Sequence, residues 1–196
     1  QIKKCLDEIQ EDQLRFMRMP KYIVQFLQPG RLINVRKQEE DFGWGIVVNI
    51  TKRVTQDKVS TPESFYVVDC LLRVVKCGPV TRPPRPEELL PPDAAANSTA
   101  AGSVEPQVVP IRLECIQALS AVRLFVPKDL RPLANRIALL QNIEKVQSKL
   151  KGKLPLLDPE DDMKILEPDF AKLCQKSKAF QQRLNVHRLK DDPSLP

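Results

Sequence analysis

Residues 29–50 read PGRLINVRKQEEDFGWGIVVNI, and this stretch decides the fold. Pro29-Gly30 is a turn signal, and from Ile33 apolar and polar residues alternate as in a β-strand. A polar run at 38–41 predicts a turn, and a second alternating run covers 44–50. Glycines on both sides of the tryptophan predict a bulge or a sharp curve of the kind that a small barrel needs. The stretch therefore predicts two curved, adjacent strands.

Three more strands are predicted outward from this pair, at about 65–75, 107–115 and 120–126, because apolar residues alternate there too. Residues 76–107 break every period and contain seven prolines, so we expect a flexible surface insertion. Helical spacing is found at 1–18, 133–150 and 168–184. The predicted class is α+β, a small five-stranded barrel with flanking helices. The predicted segments are helix 1–19, barrel 20–128 with insertion 76–107, and helical region 129–196.

The composition limits the class of protein. The 196 residues are 42% hydrophobic and 29% charged, which is enough apolar material for a core and excludes wholesale disorder. No apolar run approaches the roughly 18 residues of a membrane-spanning helix, so no membrane contact is expected. Five scattered cysteines without a Cys-x-x-Cys pair predict neither a disulfide framework nor a zinc site, and they favour the nucleus or cytosol. The missing initial Met and the uncapped first helix suggest a fragment of a longer chain.

Charge occurs in blocks, although the net value is only +6. Residues 121–153 hold eight basic and two acidic residues, 158–169 hold six acidic and one basic, and 170–190 hold six basic and none acidic. Such a pattern suits steering of nucleic acid along one face, and it equally suits the solvated faces of two helices. Both interpretations stay open on charge alone.

Residue types that catalysis needs are scarce. His187 is the only histidine, so neither a Ser-His-Asp nor a Cys-His set is available. No Gly-x-x-x-x-Gly-Lys-Ser/Thr loop is present to cradle a nucleotide phosphate. The acidic residues at 158, 160, 161 and 162 lack the spacing and glycine of a calcium loop, which favours a solvated loop over a metal site. We therefore expect no catalysis, no cofactor and no metal in these residues.

Five runs carry a resemblance to a known family: 26–32 (FLQPGRL), 41–49 (DFGWGIVVN), 66–72 (YVVDCLL), 122–132 (VRLFVPKDLRP) and 155–163 (PLLDPEDDM). Over nearly its whole length the chain resembles the arch insertion of the nuclear exosome-associated DExH RNA helicases, the helicase family of the TRAMP and NEXT complexes. The resemblance implies a KOW-type β-barrel at the tip of a helical stalk. Residues 1–18 and the end of the last helix would be stubs of that stalk. ATP hydrolysis is not implied, because the helicase core is missing.

The resemblance also implies a groove for short arch-interacting motifs, roughly Leu-Phe-x-Asp/Glu, on adaptor proteins. In the family, an arginine at the position of Arg123 pairs with the acidic residue of the motif, and an acidic residue at the position of Asp69 lies beside the groove. Apolar neighbours around these charges agree with a peptide surface. The alternative is that Arg123 is an ordinary surface base and Phe125 packs under the insertion. The residues predicted to contact the peptide are Arg123, Asp69, Phe125, Val67, Leu71 and Leu124.

Structured RNA is the second partner that the resemblance implies. A KOW barrel presents loops to phosphates, and basic residues are dense after the helix at 133–150. Contacts of this kind are independent of sequence and sensitive to salt. Trp44 is expected in the core rather than stacked on a base. The predicted RNA-binding residues are Lys52, Arg53, Lys145, Lys149, Lys151 and Lys153.

The sequence thus predicts a non-catalytic, monomeric interaction module of a nuclear exosome cofactor helicase. Its parent would be an ATP-dependent RNA helicase of the nucleus and nucleolus, acting in RNA decay and rRNA processing. Adaptor proteins, structured RNA and, through the parent, the exosome are the predicted partners. Two alternatives stay open: a platform mainly for RNA, and an architectural spacer of the arch.

Overall fold

The computed structural model describes residues 2–38, 40–53, 66–76, 89–90 and 104–190. Most of the predicted insertion 76–107 and of the polar stretch after residue 53 lies outside these ranges. The described strands are β1 (Arg31–Lys37), β2 (Glu40–Lys52), β3 (Tyr66–Lys76), β4 (Leu89–Leu90), β5 (Val104–Arg112) and β6 (Ile116–Arg123). The described α-helices are α1 (Ile2–Met17), α2 (Pro20–Ile23), α3 (Leu133–Lys149) and α4 (Pro168–Lys190).

The five long strands form one antiparallel sheet in the order β5–β3–β2–β1–β6, and β3 also pairs with the two-residue β4. This confirms the predicted α+β class. The predicted bounds of the last two strands, 107–115 and 120–126, were wrong by three or four residues at each end, because β5 is Val104–Arg112 and β6 is Ile116–Arg123. A single turn of 3-10 helix, Leu113–Cys115, separates these strands and replaces the predicted end of the first. The chain leaves the sheet after Arg123, just before Pro127, which has no N–H to donate.

The inner face of the sheet holds the main core. Alternate residues of β3 (Val68, Cys70, Leu72 and Val74) point into it and are fully buried. Gly45 of β2 faces the same layer, where an added Cβ would lie 2.5 Å from Cys70 Sγ. Only a glycine lets the two strands approach this closely, because real Cβ atoms are not found at such distances. Burial raises the pKa of the Cys70 thiol far above its usual range.

Two irregularities bend β2. Val35 pairs with Gly43 and Arg36 with Asp41, so Phe42 is an extra residue, and the bulge predicted beside the tryptophan is present. A second shift, between Val47 and Asn49, was not predicted. It turns Ile50 to the inner core although Trp44, Ile46 and Val48 pack on the outer side. The prediction of one continuous face from Trp44 to Ile50 was therefore wrong, because a bulge reverses the alternation.

Helices α1 and α4 pack side by side below the barrel. The rings of Phe16 and Phe170 lie 5.7 Å apart between their centroids. Arg18, only 8% exposed, donates from Nε to the carbonyl of Ile116 at 2.8 Å, which joins the end of α1 to the start of β6. The Nη1 atom of Arg18 also pairs with Glu11. This pairing of helices agrees with two stalk stubs, and the boundaries at 19 and 128 stay predictions.

Helix α3 covers part of the outer face. Its buried residues Leu139, Leu140 and Ile143 pack with Leu32, Ile46 and Leu71 of the sheet. Trp44 is half-buried at the margin of this second cluster, which matches the expected packing role. Arg73 and Glu144 form an ion pair across the same contact. The outer face is thus closed near Leu71.

No helix among the described residues is both long enough and apolar enough to cross a membrane.

Candidate ligand-binding surfaces

A segment without regular structure, residues 124–132, crosses the outer face of the sheet; we call it the strap. At its start, the Leu124 N–H donates to the Gly30 carbonyl at 2.8 Å. At its end, Arg136 donates from Nη1 to the Leu130 carbonyl and from Nε to the Pro106 carbonyl of β5, both at 2.9 Å. Side chains along the strap pack down on the outer cluster: Leu124, Val126 and Leu130. The strap therefore runs from β6 to β5 and is fixed at both ends.

Gly30 makes the start of the strap possible. Its φ is +90°, and an added Cβ would lie 2.0 Å from the Leu124 carbonyl oxygen. Its N–H donates to Val47 of β2 at 2.8 Å while its carbonyl accepts from Leu124. No side chain fits this position, so the sequence requires glycine here.

Arg123 stands beside this junction. Its side chain is exposed, and its Nη2 donates to the Pro29 carbonyl at 3.2 Å. It pairs in the sheet with Arg31, whose pKa is lowered by partial burial and then by the charge of Arg123. Arg31 is held by carbonyl oxygens of Phe26, Ser120 and Ala121. Within the described part of the chain neither guanidinium has a carboxylate partner, so the junction favours an anion.

Phe125 follows on the strap and is 85% exposed. The two neighbouring strap residues, Leu124 and Val126, turn inward and are half-buried. Because side chains alternate along the strap, the phenyl ring of Phe125 points to solvent while the backbone that carries it is anchored. A large exposed aromatic side chain next to an arginine is the combination that dominates protein interfaces.

Asp69 and Val67 lie on the outer face of β3, beyond the part that α3 covers. Both are half-buried, and their neighbours Asn49 and Pro110 on the adjacent strands are exposed. Hydrogen bonds and register place Leu124, Gly30, Val47 and Cys70 in one row across the sheet, with Leu124 just after β6 and Gly30 just before β1. Three strand spacings of about 4.8 Å put Asp69 roughly 14 Å from Arg123. We call the uncovered outer face around Asp69 and Val67 the open face; no hydrogen bond or ion pair joins Asp69 to Arg123 among the described residues.

Leu71 was predicted to contact a peptide, and this was wrong. Its side chain is fully buried between Ile46 and the inner side of α3. The alternation along β3 does place it on the face of Asp69 and Val67, as the sequence indicated. Helix α3 then covers that face, and nothing in the local sequence of β3 reports this.

The predicted RNA-binding residues form two separate groups. Lys52 and Arg53 lie at the end of β2, where the Lys52 Nζ is 5.8 Å from the centre of the Tyr66 ring. The group on and after α3 comprises Lys145, Lys149, Lys151 and Lys153, all exposed. The end of α3 lies against Trp44, because Gln147 and Trp44 line one cavity. Lys52 lies eight positions after Trp44 on β2, roughly 27 Å along the strand.

The acidic loop organises its own backbone. The Asp158 carboxylate accepts hydrogen bonds from the N–H groups of Glu160 and Asp161, and Asp162 accepts from the Asp158 N–H. Glu160 pairs with Lys178 on α4. In the described parts of the chain, no three His, Cys, Asp or Glu side chains are grouped to hold a metal ion.

Sequence reasoning missed Arg136 and Arg31 as the residues that hold the strap and its junction. Both use their guanidinium groups on backbone carbonyls far away in sequence, Pro106 for Arg136 and Ser120 for Arg31. Such partners leave no local pattern, so no signal in the sequence would have found them.

Comparison with known proteins agrees with this geometry. A family model described as "Mtr4-like, beta-barrel domain" matches residues 19–196. The chain belongs to the Mtr4-like β-barrel family. It is similar to the human protein "Exosome RNA helicase MTR4", with 39% identity over 202 residues that cover 100% of this chain and 18% of that protein. The fission yeast "ATP-dependent RNA helicase mtr4" is 32% identical over 188 residues, or 93% of this chain and 16% of that protein.

The chain thus spans less than a fifth of the length of these relatives. The resemblance to the arch region of exosome helicases is confirmed by the family match and by the full-length coverage of this chain. The Mtr4-like β-barrel is therefore one part of a much longer helicase architecture in those proteins.

Proposed function

We propose that this Mtr4-like β-barrel is the non-catalytic interaction module of a nuclear RNA helicase that serves the exosome. In this proposal the open face and the strap bind short motifs, Leu-Phe-x-Asp/Glu, on adaptor proteins that direct the helicase to RNA decay and rRNA processing. The observation that carries the proposal is Phe125, 85% exposed on an anchored strap next to Arg123, which has no carboxylate partner among the described residues.

The dimensions support a short extended peptide. Four residues span three intervals, about 10 Å between the outer Cα atoms, and their side chains extend that reach. The acidic residue of the motif would pair with Arg123, and its apolar residues would contact Phe125 and Val67. Leu124 supports the strap from below, because it is half-buried in the outer cluster. Asp69, at the far border, would repel an acidic end and so fix the peptide direction.

Calorimetry with a synthetic Leu-Phe-x-Asp peptide tests the proposal. Arg123→Glu should weaken binding by at least roughly 30-fold, because loss of a desolvated charge pair costs about 2 kcal/mol or more. Arg15→Glu is the matched control: it reverses a charge of the same type on α1, where the side chain is 72% exposed, and should leave affinity unchanged. A peptide with Lys in place of the acidic residue should bind Arg123→Glu better than it binds the unaltered protein.

Equal affinity of the Arg123→Glu and Arg15→Glu proteins would place the peptide elsewhere. No detectable binding by the unaltered protein would leave the architectural spacer as the function. Circular dichroism of each variant establishes that the barrel is folded in either case.

A second function, contact with structured RNA, is favoured by the turn that follows α3. Lys149, Lys151 and Lys153 are exposed there and have no ion-pair partner among the described residues. Lys151 and Gly152 both have positive φ, 52° and 78°, so the turn carries the lysines away from the helix axis. Freely exposed ammonium groups in a projecting turn suit phosphate contacts.

Fluorescence anisotropy with a labelled stem-loop RNA tests this second function. Charge reversal at Lys149, Lys151 and Lys153 should lower affinity and reduce the dependence of log affinity on log salt by about one unit per lost contact. Lys52→Glu with Arg53→Glu tests the other basic group separately. RNA binding that neither variant changes would remove both groups from the RNA surface.

A further inference from the structure

A cavity of about 520 Å³ lies at the far end of the strap, between the strap, β5 and the start of α3. Residues of all three elements line it, among them Val108, Lys128, Asp129, Arg131 and Arg136. It is not part of the open face, and none of the predicted site residues borders it.

The cavity is positively charged. Lys128 is exposed and has no hydrogen-bond or ion-pair partner in the described ranges. Arg131 neutralises Asp129 through two hydrogen bonds, of 2.9 and 3.1 Å, which hold the pKa of that carboxyl below its usual value. Within the described residues, Arg136 bonds only to the neutral carbonyls of Pro106, Leu130 and Arg131. Three cations therefore meet one carboxylate, and two positive charges are uncompensated.

One wall of the cavity is the side of β5 that pairs with no other described strand. Pro106 and Pro110 of β5 have no N–H. In an edge strand, proline is found where the backbone nitrogen faces away from the neighbouring strand. Val108 lies between them at the same alternation and pairs with Leu71, so its N–H and carbonyl also face away from β3. Its side chain is 39% exposed. An extended peptide can form backbone hydrogen bonds with Val108. A longer ladder of such bonds cannot form, because the prolines on both sides have no N–H to donate.

We propose that this cavity binds an acidic segment that flanks the Leu-Phe-x-Asp/Glu motif in the same partner peptide. The inference rests on the proposed peptide-binding function. The strap joins the two surfaces: Arg123 precedes it, and Lys128 lies five residues on, at most about 18 Å of extended chain. A flank of five or six residues therefore reaches from the motif to the cavity.

A peptide fits the cavity better than RNA does. The peptide backbone can pair with the N–H and carbonyl of Val108, whereas single-stranded RNA uses aromatic stacking platforms. No aromatic side chain lines this cavity among the described residues. Val108 and Leu130 instead offer aliphatic contact between the cations.

Calorimetry on the full chain compares three peptides that share the motif. One carries four Glu residues before it, one carries them after it, and one carries four Gln residues on both sides. Only the acidic peptide whose Glu residues lie on the side of the cavity should gain, and we expect it to bind about fivefold more tightly than the Gln peptide at low salt. Lys128→Ala with Arg131→Ala should remove that gain and leave the Gln peptide unchanged. Lys145→Ala with Lys149→Ala removes the same charge elsewhere and should preserve the gain.

Each outcome separates the two proposals. If the Gln peptide itself does not bind, the proposed function fails. If all three peptides bind equally, only the acidic-flank inference fails. A gain that disappears in the Lys145 and Lys149 variant but survives in the Lys128 and Arg131 variant would overturn the assignment of the cavity. It is also overturned if a labelled oligouridine loses affinity in the Lys128 and Arg131 variant while the acidic flank adds nothing.

Discussion

Gly30→Ala should destabilise the barrel far more than an ordinary glycine substitution. The left-handed φ of +90° costs an L-residue about 1–2 kcal/mol. The new Cβ would in addition meet the Leu124 carbonyl oxygen at 2.0 Å, so the strap must move or its hydrogen bond to Gly30 must break. Overpacking of this kind costs about 1–3 kcal/mol, and we expect a total loss of about 3 kcal/mol.

Urea unfolding, followed by Trp44 fluorescence, measures this loss. With a slope of about 2–3 kcal/mol per molar urea, the midpoint should fall by about 1 M. Gly152→Ala is the matched control, because its φ is +78° and an added Cβ meets nothing within 4 Å. It should lose only the backbone cost of about 1–2 kcal/mol. Equal losses in the two variants would refute the argument that the Leu124 carbonyl decides the identity of residue 30.

Three further changes test other parts of the structure. Leu71→Ala should lower the free energy of unfolding by about 2–5 kcal/mol, whereas Val67→Ala should mainly lower the affinity for the peptide. A larger loss of stability for Val67→Ala in urea unfolding, with a larger loss of peptide affinity for Leu71→Ala in calorimetry, would contradict the burial of Leu71. The hydrogen bond from Lys21 lowers the pKa of Glu167, so its stabilisation is complete above pH 4.5 and is lost as the pH falls through the lowered pKa. Glu167→Gln should therefore flatten the dependence of the free energy of unfolding on pH below pH 4.5. An unchanged dependence would show that the pair of Lys21 and Glu167 does not stabilise the fold. Iodoacetamide should leave Cys70 unmodified until urea unfolds the chain; mass spectrometry that finds it alkylated in the native protein would contradict its complete burial.

The sequence was most informative where apolar alternation is regular. In β3 the predicted alternation separates Val68, Cys70 and Leu72 from Val67 and Leu71, and the first three residues belong to the inner core. It was less informative where tertiary packing decides exposure. Leu71 and Val67 have the same alternation, but α3 covers only the first, and that contact joins positions about seventy residues apart.

The candidate site shows the same division. Arg123, Asp69 and Phe125 were predicted from the resemblance and from their apolar neighbours, and their role in binding stays a prediction. The start of the strap, which presents Phe125 next to Arg123 of β6, was predicted to be the end of a strand, because Leu124 and Val126 continue the alternation. The hydrogen bond that the Leu124 N–H donates to the Gly30 carbonyl and the one that Arg136 donates to the Leu130 carbonyl keep it on the sheet after the strand has ended, and these bonds have no periodicity to reveal them.

The junction between Gly30 and the strap has a consequence for the order of events during synthesis. Arg123 and Pro29, which meet there, are 94 residues apart in the chain. A nascent polypeptide that ends before residue 123 can already pair β1, β2 and β3, yet it lacks Arg123 and Phe125. Under the proposed function, an adaptor would bind only molecules in which both halves of the barrel have met, and it would stabilise the closed junction by mass action. Partner binding in this protein would serve as a check on completed folding.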